Sequence, residues 1–309
     1  MQRGFILSEP ATFLYFCTVP AAKKTPPAKR KPLVKKKTPV NKKKANGISI
    51  KWKIFIGALL LILLSPFYYG YVLRGFSSAW MWVRDIGGTA HYHVYKKFNI
   101  RIPDKYSIHG IDVSYAQGKI DWQKVKMMHE DSVHISFAFI KATEGLLSVD
   151  PYFQRNWREA PKAGIVCGAY HFFRPAKNGK WQARFFLQNV KTEKGDLPPV
   201  VDVEVLDNTS PIKLRKELTA FLDFFKSKTG VKPIIYSGQS FYEDNLKGYF
   251  DDYTLWIANY QQPELKISDS ANWRFWQHSD RATVNGIYHT VDFDTFNGDS
   301  IAFNKLLVQ

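Results

Sequence analysis

Cysteine is nearly absent: Cys17 and Cys167 are the two in 309 residues. A long apolar run separates them, which puts them on opposite sides of a membrane in the reading below, so they are not expected to pair. Cys167 sits in the apolar segment 165–167 and reads as core. No Cys/His grouping has metal-ligand spacing; His91 and His93 come nearest and lack further ligands close by, so neither a metal nor an organic cofactor is expected. Acids are scarce at the start of the chain. Residues 1–53 hold fourteen Lys and Arg against Glu9 alone, a net +13, and this leaves thirty basic and 26 acidic residues for everything else. The overall net charge of +17 is therefore a property of a tail, and nucleic acid is not an expected partner. Lys23 to Lys44 is interrupted by proline and almost free of large apolar side chains, so it cannot bury enough surface to fold. Residues 1–52 are read as a largely disordered tail.

Charge is missing altogether from residues 54–73, which lie between Lys53 and Arg74. At about 1.5 Å per residue, twenty helical residues match a hydrocarbon layer of roughly 30 Å. Phe67, Tyr68, Tyr69 and Tyr71 crowd the far end, where an aromatic belt belongs. The segment 53–74 is thus expected to be a single transmembrane helix in the cytoplasmic (inner) membrane. The positive-inside rule puts the basic tail in the cytoplasm and the rest of the chain on the periplasmic, extracytoplasmic side. A cleavable signal peptide ending at Ser77 and Ala79 fits less well, because a long tail precedes the apolar run. Residues 75–106, with Trp80, Trp82, Tyr92 and Tyr95, are read as a juxtamembrane linker.

From residue 107 onward the pattern becomes regular. Short apolar strands are expected at 108–113, 135–141, 165–171, 199–205 and 233–237, separated by segments of helical length. The clearest helix runs over 211–228, with Ser210 as N-cap, Pro211 in the first turn and Gly230 past the end. Leu214, Leu218, Phe221, Leu222 and Phe225 form its buried stripe. Three more strands, at 254–258, 273–276 and 290–293, are joined by stretches too short for a helix and two loops. Eight strands with helical crossovers confined to the first part describe an α/β barrel that has lost its last helices, with functional groups at the C-terminal ends of the strands.

The stretch that states a chemistry is 200–205, Val-Val-Asp-Val-Glu-Val, which contains no Lys or Arg to neutralise its two acids. In a strand Asp202 and Glu204 share a face, their Cα atoms roughly 6.6 Å apart at about 3.3 Å per residue. Mutual repulsion and partial desolvation can raise one pKa, giving a proton donor beside an anion, the division of labour that glycosidic hydrolysis needs. Asp112 ends the first strand and Asp292 lies in the last. First and last strands are neighbours in a closed barrel, so four carboxylates are expected around one mouth. Tyr170, Tyr236, Trp256, Tyr260 and Trp276 also fall at strand ends, where aromatic faces make platforms for sugar rings. Lys141 and Glu144, ending the second strand, are expected to form a structural ion pair.

The runs H-G-I-D-V-S-Y-A-Q-G-K-I-D-W, F-I-K-A-T-E-G, G-A-Y-H-F-F-R-P, P-V-V-D-V-E, I-I-Y-S-G, L-W-I-A-N-Y, F-W-Q-H and V-D-F-D-T-F-N-G occur in that order between residues 107 and 303. Together they resemble glycoside hydrolase family 25, the Chalaropsis-type lysozymes. The resemblance implies a TIM-like (β/α)5(β)3 barrel over 107–309 and hydrolysis of the β-1,4 bond between N-acetylmuramic acid and N-acetylglucosamine in peptidoglycan. It implies Glu204 as general acid and Asp202 as the carboxylate that holds or polarises the substrate, with Asp112 and Asp292 as the first-strand and last-strand acids. Val200 stands where the D-x-D-x-E pattern of the family 18 chitinases requires an acid. The partners implied are peptidoglycan glycan strands and the membrane; no obligate protein partner is legible. A membrane-tethered wall-binding protein that keeps the barrel without turnover is the alternative reading.

Overall fold

The computed structural model describes residues 49–61, 64–65, 92–262, 264–268 and 271–309. The basic tail expected over 1–52 lies almost wholly outside the described residues, as do Trp80 and Trp82. The chain divides into two compact units, Met1–Ser65 and Pro66–Gln309. In the first, residues 50–61 are helical and expose apolar side chains such as Ile54, Phe55, Leu60 and Leu61. The transmembrane segment expected over 53–74 falls partly outside the described residues; among those described, no helix is long and apolar enough to cross a membrane.

The second unit is built on eight strands: β1 (His109–Val113), β2 (Val133–Glu144), β3 (Val166–Phe172), β4 (Val200–Asp202), β5 (Ile234–Gly238), β6 (Leu255–Ala258), β7 (Trp273–Ala282) and β8 (Val291–Phe296). Each pairs with its neighbour in sequence, and β8 pairs with β1, so the sheet closes. The strands β1 to β7 run parallel, and β8 is antiparallel to both β7 and β1. Helices α1 (Trp122–Met127), α2 (Phe153–Lys162), α3 (Gly179–Asn189), α4 (Pro211–Thr229) and α5 (Gln239–Asn245) follow β1 to β5, and α6 (Ser300–Leu306) follows β8. The α4 helix forms as its sequence demands. Ser210 accepts the Lys213 N–H, Gly230 takes φ 73°, and the five-residue stripe is buried.

Period-two alternation divides the strand residues between two cores. Outward residues such as Ile111, Ile140, Val201, Ile235 and Ile257 pack with the helices. Inward residues Phe137, Phe139, Val200, Ile234, Trp256 and Phe275 fill the barrel, with Phe303 of α6 packed among them. Gly110 and Gly168 lack side chains where a Cβ would strike the rings of Phe137 and Phe139, so these glycines make room for an aromatic filling.

Two expectations change here. Residues 92–106, read as linker, instead pack on the barrel. Tyr92–Tyr95 pairs with Ile100–Pro103 as a hairpin, while Phe98, Ile100, Ile102 and Tyr106 enter the outer core. Its apolar period was too short to register as a strand pair. The expected 199–205 strand also ends at Asp202, although Val203 continues extended, donating its N–H to Tyr236 O at 2.9 Å and accepting from Ser237 Oγ at 2.8 Å.

Candidate active site

Inward positions above the aromatic filling carry acids. Asp112 and Asp292 are cross-strand partners, Asp294 stands opposite Gly110, and Asp202 is level with Tyr236. Asp292 lies near the start of its strand, yet it reaches the same mouth as Asp112 because β8 is reversed. The expectation that the site lies at strand C-termini therefore holds for β1 and β4 and fails in wording for β8. The floor is Trp256, stacked on Phe139 at 4.4 Å between centroids and donating Nε1–H to Asp294 Oδ1 at 2.8 Å.

Gln277 organises the wall. Its Nε2 donates to Asp112 Oδ2 at 2.6 Å, and its Oε1 accepts the hydroxyls of Tyr236 at 2.8 Å and Tyr260 at 2.6 Å. A primary amide suits this post because it offers a donor to the acid and an acceptor to the phenols.

Burial raises the pKa of every acid here. Asp112 is pushed well up by desolvation, then by Asp292 and Asp294, against a lowering hydrogen bond from Gln277. Asp294, fully buried, is pushed well up by desolvation and by Asp292. Its Oδ2 has no donor among the described residues, in keeping with carboxyls that share protons. Asp292, half-buried, rises to about 6, through desolvation and then Asp280 and Glu204. Asp202 is raised by desolvation and by Glu204, with Lys141 opposing. The Asp202 Oδ1 is buried and has no hydrogen-bond partner among the described residues.

Glu204 is the open member, exposed to solvent beyond the end of β4. Its pKa is nevertheless raised, by partial enclosure of the carboxyl, while Lys141 and Arg174 pull it down. Sequence reasoning expected mutual repulsion to raise one of the two pKa values; that repulsion falls on Asp202, the more buried partner, while desolvation raises Glu204. Lys141 and Glu144 form the expected ion pair at 2.8 Å.

The five aromatics divide. Tyr170 is buried inside the barrel beside Val200, and its hydroxyl feels Asp112 and Asp202. Tyr236 and Tyr260 join the Gln277 network, and Tyr260, 38% exposed, offers a face to solvent. Trp256 is floor, at 2% exposure. Trp276 is not at the mouth. It points to the outer core, 0% exposed, against Tyr106 and His278, with Nε1–H donated to Asn259 O. Strand parity decides this: Phe275 and Gln277 face inward, so Trp276 cannot. Gln277 and Asp294 were missed by sequence reasoning, yet the same alternation that joined Asp202 to Glu204 joins Asp294 to Asp292. Among the described residues no group of three or more His, Cys, Asp or Glu is placed to hold a metal ion. His91 lies outside the described residues.

Comparison with known proteins agrees with this geometry. The family model for glycosyl hydrolases family 25 matches residues 111–287, from β1 to the β7–β8 connection. The uncharacterized protein YegX of Escherichia coli K12 is 47% identical over 241 residues, 78% of this chain and 88% of its own length. Lysozyme M1 of Streptomyces globisporus is 34% identical, over 64% of this chain and 70% of its own. The structure of a family 25 glycosyl hydrolase from Bacillus anthracis superposes with a TM-score of 0.61 at 33% identity, covering 72% of this chain and all of that one. A closed eight-stranded barrel with acids at one mouth and a family match over most of it lead to one assignment: the chain belongs to glycosyl hydrolases family 25.

Proposed function

We propose that the protein is a peptidoglycan muramidase, cleaving the β-1,4 bond between N-acetylmuramic acid and N-acetylglucosamine. The observation that carries this reading is the pairing of an open Glu204, its pKa raised by partial desolvation, with a buried Asp202 whose Oδ1 has no partner among the described residues. A raised pKa favours the protonated form of Glu204, and its exposure lets a glycosidic oxygen approach. Glu204 gives its proton to that oxygen as the C–O bond breaks. The oxocarbenium-like centre is then met by the substrate's acetamido oxygen, held by Asp202, or by water. In the first course Asp202 takes the amide proton as the oxazoline ring closes, and water, giving a proton to the Glu204 carboxylate, then opens that ring while Asp202 returns its proton to the nitrogen. In the second, water attacks directly and gives its proton to Asp202, from which it passes back to Glu204 through solvent. Asp112, with Gln277, and Asp292 line the opposite wall and bind hydroxyls, and Tyr170, Tyr236 and Tyr260 supply phenol edges and faces to sugar rings. Lysozyme M1 supports the substrate assignment through its name and its likeness to this chain.

The same proposal places the barrel outside the cytoplasm, held by residues 53–74 as an anchor. The exposed apolar side chains along helix 50–61 support it. Reducing ends released from purified peptidoglycan test the activity; release by the wild type and none by Glu204→Gln is expected. A protein that binds peptidoglycan and releases none would instead be a tethered wall-binding barrel.

A further inference from the structure

Glu204 lies on the connection between β4 and α4, so something must hold that loop. The loop bends through Asp207 and Asn208, both left-handed without being glycine, at φ 49° and 58°. Asp and Asn tolerate this conformation better than other L-residues, yet two in succession are uncommon and gain from contacts that hold them. The hydroxyl and N–H of Thr209 close a turn on Leu206 O at 2.7 and 2.8 Å. The link to the barrel wall is Arg174, just past β3. Its Nη1 donates to Asp207 Oδ1 at 2.9 Å, while Nε and Nη2 both donate to Glu144 Oε1, at 3.0 and 2.6 Å. Its guanidinium lies 4.7 Å over the Phe172 ring.

Arg174 is itself fixed from behind. Its main-chain N–H donates to Gln182 Oε1 at 2.9 Å and its carbonyl accepts Gln182 Nε2 at 3.0 Å. That orients the buried amide, whose Oε1 then accepts from His171 Nε2 at 3.2 Å. The remaining His171 nitrogen, Nδ1, accepts from Thr143 Oγ1 at 2.7 Å. Desolvation keeps His171 neutral, its pKa lowered to about 4, so this tautomer stands across the neutral range. A chain of fixed contacts thus runs from β2 through β3 to the loop beyond Glu204.

We propose that Arg174 is a positioning residue: gripping Asp207, it holds the β4–α4 loop in the course that presents Glu204 to the mouth. This rests on Glu204 being the general acid. Arg174 also opposes the elevation of the Glu204 pKa, so the grip and the acid's strength are linked.

The test compares Arg174→Gln, Asp207→Asn and Asp207→Gly in the full chain. Asparagine and glycine both tolerate left-handed φ, and neither carries the carboxylate. Misplacement of a reacting group costs up to about 100-fold, so each variant is expected to lower kcat by roughly 10- to 100-fold with KM within about 3-fold. In Arg174→Gln the alkaline limb of the pH profile, where Glu204 loses its proton, moves to higher pH. The Glu204 carboxyl titration followed by NMR moves the same way, and this readout needs no turnover. Wild-type kcat in both Asp207 variants, or an unmoved Glu204 titration in Arg174→Gln, overturns the proposal. Should Glu204→Gln remain active, the general-acid assignment fails instead, so the two failures are distinct.

Discussion

Asp112 and Asp292 face each other directly across β1 and β8, strands that run in opposite directions. Two acids at that spacing cannot both ionise freely: Asp292 pushes the Asp112 pKa up, while desolvation, then Asp280 and Glu204, raise that of Asp292 to about 6. An unfolded carboxyl ionises near 4, so between about 4 and 6 the folded state binds more protons and stability falls as pH rises. Asp292→Asn removes this effect. Above pH 6 the variant is expected to be more stable than wild type by on the order of 2 kcal/mol, with activity reduced at least about 10-fold. Urea unfolding at pH 4 and pH 7 checks the sign, since the gain must be absent at pH 4.

Gln277 serves three partners at once. Removing its amide in Gln277→Ala strands the hydroxyls of Tyr236 and Tyr260 and the Asp112 carboxyl. Buried polar groups left unpaired cost about 1 to 3 kcal/mol each. Lowered thermal stability and a loss of kcat near 100-fold are expected. Gln277→Glu is expected to behave worse at neutral pH, because it faces Asp112 with a second acid in place of a donor.

The aromatic residues separate by experiment as they do in space. Tyr260→Ala is expected to raise KM several-fold with little change in Tm, since the ring is partly open. Trp276→Ala is expected to cost about 3 to 5 kcal/mol of stability, as a fully buried ring leaves a cavity. Thermal melts and Michaelis profiles on both variants distinguish surface from core.

Three buried histidines make the barrel sensitive to acid. Desolvation lowers His109 and His171 to about 4 and His278 to about 3, with His134 also lowering His109 and His109 also lowering His278. Unfolded histidine titrates near 6.5, so the unfolded state takes up protons first as pH falls from 6.5 toward 4, and stability is lost across that window. Each histidine contributes on the order of 3 kcal/mol to the loss. His278→Gln is expected to flatten the dependence of unfolding free energy between pH 7 and pH 4.

How much of this was legible beforehand depended on alternation. All eight barrel strands and the buried stripe of α4 follow from apolar periodicity and caps, because those signals are local. Asp112, Asp202 and Asp292 were legible as inward acids. Trp276 was misread because proximity to a strand end was weighed above the parity that makes Gln277 its inward neighbour. Asp294 was overlooked although it repeats Asp292 two residues on. The reversal of β8 and the Arg174–Asp207 grip were not legible, since strand direction and ion pairing across 33 residues are set by the closed barrel.

The most direct test is the rate at which Glu204→Gln releases reducing ends from purified peptidoglycan. The account expects a wild type that turns over, and a folded variant with the same melting behaviour whose rate falls by at least about 1,000-fold. A variant that retains a rate near that of the wild type contradicts it.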